Sequence, residues 1–148
     1  MPTELDYIDR LILQALQRDG RLQNVDLARL VGLSPSPCLR RVRRLEEEGV
    51  IGRYAALLDP AKIGIGMVIF ARVSLISQDA ETIERFTKLI VALPQVVECH
   101  MMAGECDALL RVVAENLIGY RQFPMAHLNR SNGVQTVETD IQLQKIRL

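Results

Sequence analysis

The stretch Ser34 to Gly49, SPSPCLRRVRRLEEEG, carries the pattern from which the fold of this chain is predicted. Ser34 suits the capping position of a helix, and Pro35 suits the first helical position because its missing N–H would have no partner there. Gly49 suits the left-handed residue at which many helices end. The stretch therefore predicts a single helix with defined ends.

This predicted helix has two faces. At 100° per residue an apolar side packs inward, made of Cys38, Leu39, Val42 and Leu45. The opposite side carries Ser36, Pro37, Arg40 and Arg44, with Arg43 beside them and Arg41 on the other shoulder. Four arginines in five positions predict an exposed basic surface that meets an anionic partner.

A plainer interpretation is a solvated face on which Arg43 pairs with Glu47 and Arg44 with Glu48. Arg before Glu is the weaker order, and acidic residues at a carboxyl end oppose the helix dipole. A helix with small polar residues first and arginines behind suits the major groove of DNA. The predicted DNA-binding residues are Ser34, Ser36, Pro37, Arg40, Arg41, Arg43 and Arg44.

Two helices are predicted before this one. Apolar residues recur at intervals of three and four from Leu5 to Leu16. A short helix then begins at Asn24 as its cap and ends at Gly32, two residues before Ser34. So tight a connection favours a helix-turn-helix motif, although any small three-helix unit shows similar features.

Size and charge set limits on this interpretation. The chain has 148 residues, of which 49% are apolar, enough for one medium or two small folded domains. Its 18 basic and 18 acidic residues give a formal net charge of zero. Nucleic-acid binding is therefore argued only from the local concentration of arginine.

Several features predict a cytoplasmic protein without a bound metal or cofactor. The amino terminus lacks the basic-then-apolar order of a signal peptide. The longest apolar run, Ile63 to Ile76, is interrupted and too short to span a membrane. Three cysteines without a CxxC spacing fit a reducing compartment, and two isolated histidines argue against zinc.

The second half of the chain predicts an α+β domain. Alternating and helical patterns follow in the order β-α-β-β-α-β, with strands at Met67 to Leu75, Val96 to Met102, Ala108 to Val113 and Val134 to Leu143, and helices at Ala80 to Leu93 and Leu117 to Leu128. This order names a ferredoxin-like sandwich. Pro124 inside the second helix predicts a break near Gln122.

The predicted domains are residues 1–52 for the helix-turn-helix unit, 53–60 for a linker strand and 61–148 for a regulatory and oligomerisation domain. The linker strand offers a backbone edge that pairs with the same strand of a second subunit. The sheet face without helices, expected to be apolar through residues such as Val68, Phe70 and Val112, needs covering. We therefore expect at least a homodimer.

The loop Gly104, Glu105, Cys106 and Asp107 is the predicted effector-binding site. Gly104 leaves backbone N–H groups free for a carboxylate, and Asp107 can accept hydrogen bonds from an ammonium group. An amino acid offers both charges. An equally good alternative is a plain hairpin turn in which Asp107 bonds its own backbone.

Together these segments resemble the Lrp/AsnC, or feast/famine, family of transcription regulators. The resemblance lies in LDYIDRLILQALQRDGR from Leu5, LARLVGLSPSPCLRRVRRLEEEGVI from Leu27, YAALLDP from Tyr54 and VVECHMMAGECDALLRV from Val96. It implies a winged-type helix-turn-helix, a linker strand paired between subunits, and assembly of dimers into octamers. It also implies an amino-acid effector bound between subunits near the loop at Gly104 to Asp107.

The sequence has no nucleophile with a nearby base, no phosphate-binding glycine loop and no paired carboxylates beyond solvated helix ends, so it predicts no enzyme. The predicted function is a sequence-specific DNA-binding regulator tuned by an amino acid or related small molecule. The alternative is a small-molecule-binding metabolic or interaction module whose helical domain contacts only proteins.

Overall fold

The computed structural model describes residues 3–146 of the chain. Its contacts divide the chain into two compact units, with the division between Leu57 and Leu58. Among the helices described, none combines the length and apolar character that crossing a bilayer requires.

The N-terminal unit is helical. It contains α1 (Tyr7–Arg18), α2 (Asn24–Val31) and α3 (Pro35–Glu47). No strand forms within its described residues, 3–57. Its buried apolar side chains form one cluster of Ile12, Leu27, Ala28, Val31, Cys38 and Leu45. Cys38 is 0% exposed, and burial raises the pKa of its thiol, as expected for a core residue.

The turn between α2 and α3 has the predicted tight geometry. Gly32 closes α2 in the left-handed conformation at φ 73°, and the Leu33 N–H donates to the Ala28 carbonyl at 2.9 Å. Ala28 is 1% exposed, and its small side chain lets the two helices approach closely. The helix-turn-helix prediction is confirmed.

Two capping predictions differ from the structure. Gln23, not Asn24, occupies the cap position of α2, while the Asn24 side-chain N–H donates to the Pro35 carbonyl at 2.8 Å. Ser34 is the cap residue of α3 but makes no side-chain capping bond. Because Pro35 and Pro37 have no N–H, the first turn of α3 has few donors for a cap to satisfy.

The C-terminal unit is a ferredoxin-like sandwich, as predicted. Its main elements are β1 (Met67–Leu75), α4 (Ala80–Val91), β2 (Val96–Met101), β3 (Ala108–Ala114), α5 (Leu117–His127) and β4 (Val134–Ile141). The four strands are antiparallel in the order β2-β3-β1-β4. Short 3₁₀ helices lie at Pro60–Ile63 and Arg130–Asn132.

Both helices of this unit share one core with a single face of the sheet. Phe86 of α4 and Phe123 of α5 pack with buried side chains of β1 and β3. Asp79 caps α4 by accepting from the Thr82 N–H at 2.8 Å. Its hydrogen bonds, first with Ser77 and then with Thr82, lower the pKa of this carboxyl to about 2.

The predicted break in α5 is wrong. The helix continues through Pro124 to His127, and the Leu128 N–H donates to the Pro124 carbonyl at 2.9 Å. Proline removes one bond within the helix. Burial of Tyr120, Phe123 and Leu128 offsets that loss, because each is at most 6% exposed.

The sheet face without helices is not the apolar surface that the sequence predicts. Phe70 and Leu109 are only half-buried on it, and Arg72 pairs with Glu138 and Asp140, both at 3.1 Å. Arg111 pairs with Glu98 at 2.7 Å on the neighbouring strands, and Val112 lies in the core on the opposite face. Cross-strand pairs of opposite charge therefore stand beside apolar side chains on this face of the sheet.

Residues 52–59 form neither a helix nor a strand in the single chain described. Within the N-terminal unit, the Tyr54 hydroxyl donates to the Glu46 carboxylate at 2.8 Å. Burial, and then this bond, raise the pKa of Tyr54 to about 12. Pairing of the linker between subunits stays a prediction, as do the domain boundaries at residues 52 and 60.

Candidate DNA-binding surface and effector loop

The predicted DNA-binding residues divide into two groups on α3. Ser34, Ser36, Arg40 and Arg43 are exposed, while Pro37, Arg41 and Arg44 are half-buried. The inner side is formed by Cys38 and Leu45, with Val42 packed against them. Leu39, predicted to lie inside, is 37% exposed. The residues that face away from the core are thus those at the start of the helix and two arginines three positions apart, Arg40 and Arg43.

Arg41 and Arg44 have partners on α1. The Asp9 carboxylate is 1% exposed and accepts from Arg41 Nη1 at 2.8 Å and from Arg44 Nη2 at 2.5 Å. Arg41 Nη1 also lies 2.6 Å from the Asp6 carboxylate. Charge-assisted hydrogen bonds of this length are the strong ones, so these two arginines hold α3 against α1.

Asp6 and Asp9 also cap α1. The Asp9 N–H donates to Asp6 at 2.8 Å, and the Asp6 N–H donates to Asp9 at 3.1 Å, which forms a reciprocal capping box. Hydrogen bonds to the Asp6 carboxylate lower its pKa, and the bond from the Asp9 N–H has a larger effect than the bond from Arg41. Hydrogen bonds to the two carboxylates raise the pKa of the Arg41 guanidinium, and the bond to Asp6 has a larger effect than the bond to Asp9.

The pairing changes the electrostatics of the helix. Two carboxylates meet two guanidinium groups, so this cluster carries no net charge. Among residues 3–146, Arg40 and Arg43 form no ion pair, and the pairs of Arg43 with Glu47 and of Arg44 with Glu48 are absent. The uncompensated positive charge of α3 therefore comes from Arg40 and Arg43.

Asp9 was not predicted as part of the site, although the sequence contains a signal for it. Asp9 falls in the inward stripe of α1, between Leu5 and Ile12 at intervals of four and three. A carboxylate in such a stripe is almost never fully buried without a partner. The partner itself is 32 or 35 positions away, which periodicity cannot identify.

A cleft of about 360 Å³ opens beside these arginines. It is lined by Leu33, Pro37, Arg40, Arg41 and Arg44. Three of its five lining residues are arginines, and Arg41 and Arg44 are the two that pair with carboxylates of α1.

The predicted effector loop joins β2 to β3. Gly104 and Glu105 are exposed, whereas Cys106 and Asp107 are half-buried. The Met102 N–H donates to the Asp107 carbonyl at 2.9 Å, which closes the loop. A Cβ atom at Gly104 would meet no atom within 4 Å, so the tip of the loop is open.

Asp107 makes longer-range contacts than either sequence interpretation expects. One carboxylate oxygen accepts from the Leu75 N–H and the other from the Gln78 side chain, both at 2.7 Å. The pairing of β1 with β4 shifts between Ser74 and Leu75. Asp107 thus supplies a partner to a backbone N–H at this irregularity and anchors the loop to the end of β1.

A cleft of about 250 Å³ in the C-terminal unit does not include the loop. Its lining includes Gln95, Glu115, Tyr120 and Phe123, and none of residues 104–107. Among the described residues, no three acidic, histidine or cysteine side chains form a metal-ligand set. Neither of the two clefts is lined by residues of the predicted effector loop.

The helix-turn-helix unit followed by a separate sandwich domain with an open loop defines a class of protein: a transcription regulator with a DNA-binding and a ligand-binding domain. Family models support both parts. Residues 5–51 match a winged helix-turn-helix DNA-binding model, and residues 68–147 match the Lrp/AsnC ligand binding domain. The chain belongs to the Lrp/AsnC family of transcription regulators.

Individual relatives agree with this assignment over nearly the whole chain. The leucine-responsive regulatory protein of Rhizobium meliloti (strain 1021) is 44% identical, covering 97% of this chain and 92% of the relative. The protein of the same name from Escherichia coli (strain K12) is 38% identical, with 97% and 88% covered.

Solved structures give the same result. A transcriptional regulator from Neisseria meningitidis, crystallised as a complex with L-Met, matches with a TM-score of 0.92 at 38% identity, covering 98% of this chain and 94% of that one. An AsnC family regulator from Agrobacterium tumefaciens matches with a TM-score of 0.89 at 37% identity, with 97% and 94% covered.

Proposed function

We propose that this protein regulates transcription by placing α3 in the major groove of specific double-stranded DNA sites. The observation that carries the proposal is the exposure of Arg40 and Arg43 on a helix whose opposite side is buried in the helix-turn-helix core. The major groove admits one α-helix, and arginine reads guanine by two hydrogen bonds. Ser34, Ser36 and Pro37 then lie at the end of the helix that reaches the bases first.

Arg41 and Arg44 have a different role in this proposal from the one predicted on sequence. Their contacts with Asp9 support a structural role, because the guanidinium groups already have carboxylate partners. Arg40 and Arg43 are the residues expected to contact bases and phosphates.

Changing Arg40 or Arg43 to alanine is expected to weaken binding to a selected DNA fragment by about 1 to 3 kcal/mol. A lost base contact relaxes sequence preference, whereas a lost phosphate contact weakens all sequences and flattens the salt dependence. The test is a salt series on fragments that the wild-type protein selects from genomic DNA. Arg18→Ala is the control, since it removes one positive charge from α1 and leaves α3 intact.

The same salt series separates this function from a metabolic or protein-interaction module. If the wild-type protein has no DNA affinity that falls with salt, the proposed function is wrong. If Arg40→Ala and Arg43→Ala both bind as the parent does across the series, α3 is not the DNA-reading helix.

We propose further that the protein is a homodimer that assembles to an octamer, held by the C-terminal unit. The sheet face without helices supports this, because Phe70 and Leu109 remain partly exposed on it beside ion pairs. The exposed, unpaired segment 53–58 is available for pairing between subunits. Two linked DNA-binding units gain affinity because the second contact is intramolecular.

A fragment that begins near Ala61 is expected to stay oligomeric in light scattering at micromolar concentration. A fragment that ends near Gly52 is expected to be monomeric and to bind DNA far more weakly, since it loses the second half-site. A monomeric full-length chain under the same conditions would contradict the proposed assembly.

An amino acid is the proposed effector, bound near residues 104–107 where subunits meet. The open tip at Gly104 supports this site, as do a similar regulator bound to L-Met and relatives named for leucine. A coupling of about 1 to 3 kcal/mol would change DNA affinity by roughly 5-fold to 150-fold. Calorimetry of the full-length protein with leucine, methionine and the other amino acids tests the proposal, and binding of none would overturn it.

We propose that the protein binds its effector without catalysing a reaction. We also propose that it lies in the cytoplasm with the DNA that it binds. Amino-acid binding without turnover in the calorimetry experiment supports a regulator. Conversion of an added amino acid to a product would favour a metabolic module.

A further inference from the structure

A buried carboxylate lies beneath the arginine surface of α3. Asp9 is 1% exposed, and each of its oxygens bonds a different arginine, Arg41 at 2.8 Å and Arg44 at 2.5 Å. The side chains of these two arginines remain partly exposed, at 30% for Arg41 and 43% for Arg44. The carboxylate is thus held inside the domain, while its partners lie at the edge of the proposed DNA surface.

This arrangement contributes more than stability alone. Burying a charge is costly, and replacing such a group by apolar packing is often neutral or stabilising. The Asp9 carboxylate also accepts from the Asp6 N–H at 3.1 Å as half of the capping box of α1, but a neutral amide oxygen at position 9 can fill that role. What a neutral side chain at position 9 would not supply is the negative charge directed at two arginines of α3.

The chemistry of DNA binding gives that charge a role. Each arginine that neutralises a phosphate releases a counterion and strengthens binding to any sequence. Phosphate contacts carry no sequence information directly. Four free arginines in five positions would therefore raise non-specific affinity together with specific affinity.

We propose that Asp9 is a positioning residue that withholds Arg41 and Arg44 from the DNA backbone, so that specificity is set by Arg40 and Arg43. The carboxylate fixes both guanidinium groups and offsets their charge, and Asp6 adds a second hold on Arg41. The inference rests on the proposed function, since it assigns roles to residues on the same DNA-binding surface.

The test compares Asp9→Asn with the wild type on two duplexes. One is a fragment that the wild-type protein selects from genomic DNA, and the other has the same length and base composition in shuffled order. Asparagine keeps the size and one acceptor oxygen but removes the charge. Asp19→Asn is the matched control, because it also removes one acidic charge from this unit and its amide oxygen can still accept from the Arg21 N–H.

For Asp9→Asn, we expect a steeper fall of log affinity with log salt, by about 0.9 for each arginine that gains a phosphate. Affinity for the shuffled duplex at low salt should rise, and the ratio of selected to shuffled affinity should fall. A merely structural role would lower the active fraction without changing the slope or this ratio. Asp19→Asn should match the wild type in slope.

A second pair of variants decides the outcome if Asp9→Asn does not fold. Arg44→Gln should leave the salt slope unchanged, while Arg43→Gln should reduce it by about 0.9 if Arg43 contacts a phosphate. Equal slopes for wild type and folded Asp9→Asn, or a loss of about 0.9 in the slope of Arg44→Gln, would overturn this inference alone. Absence of salt-dependent DNA binding by the wild type would overturn the proposed function and this inference with it.

Discussion

Replacing Gly66 by alanine is expected to destabilise the C-terminal unit by about 3 kcal/mol or more. A Cβ atom at this position would lie 2.1 Å from the Glu115 carbonyl oxygen and 3.2 Å from its carbon. Adding a methyl group to a filled site usually costs about 1 to 3 kcal/mol. The cost here lies at or above that range because the obstacle is backbone, which cannot rotate away.

The position of Gly66 explains why the effect spreads. It precedes β1, which is hydrogen-bonded to β3 on one side and β4 on the other. Met67 pairs with Ala114, so Gly66 lies opposite Glu115, the first residue after β3 on the way to α5. Relieving the clash requires a shift of the central strand or of the turn before α5.

Amide hydrogen exchange in the full-length protein measures this effect unit by unit, which suits a chain of two units better than a single unfolding curve. We expect Gly66→Ala to lose protection in β1 and β3 but not in α1. Gly104→Ala is the control, since its added Cβ meets no atom within 4 Å and should cost less than about 0.5 kcal/mol. Parental protection of β1 in Gly66→Ala would contradict the prediction.

Replacing Asp107 by alanine is the second large change, with an expected loss of about 2 to 3 kcal/mol from the C-terminal unit. The substitution leaves the N–H of Leu75, a residue only 5% exposed, without its acceptor at 2.7 Å. An unsatisfied buried donor costs about 1 to 3 kcal/mol, and bonds to charged groups are the stronger ones. The bond from Gln78 is lost as well.

This prediction distinguishes an anchor from a direct effector ligand. If Asp107 holds the loop, Asp107→Ala lowers the thermal stability of the protein before any amino acid is added. Glu105→Ala, at an exposed position two residues earlier, should change stability by less than about 0.5 kcal/mol. Unchanged stability of Asp107→Ala with a lost response to the amino acid would instead make Asp107 a direct contact for the ammonium group.

Much of the fold was predictable because its signals are local. The order of strands and helices follows from apolar periodicity, and the helix-turn-helix follows from Gly32, Pro35 and the short segment between them. These residues act through φ angles, missing donors and side-chain spacing, all of which operate within a few positions of the chain. Burial of Cys38 and exposure of Arg40 follow from the same helical period.

Where local signals were misleading, burial outweighed them. Pro124 weakens α5 locally, but Tyr120 and Phe123 hold it in the core. Leu39 belongs to the apolar side by angle, yet it lies at the edge of a small three-helix core and remains exposed. Packing depends on which elements meet, and one segment of sequence does not contain that information.

The sequence by itself determined the elements, the fold class and the family, together with a basic helix that faces outward. Only the tertiary structure decided which arginines carry free charge and what Asp107 bonds, because Arg41 and Arg44 meet Asp9 across 32 and 35 positions, and Asp107 meets Leu75 across 32. Hydrogen bonds of 2.5 to 2.8 Å need atoms placed within a few tenths of an ångström. Folding of the whole unit provides that placement, and periodicity along one helix does not.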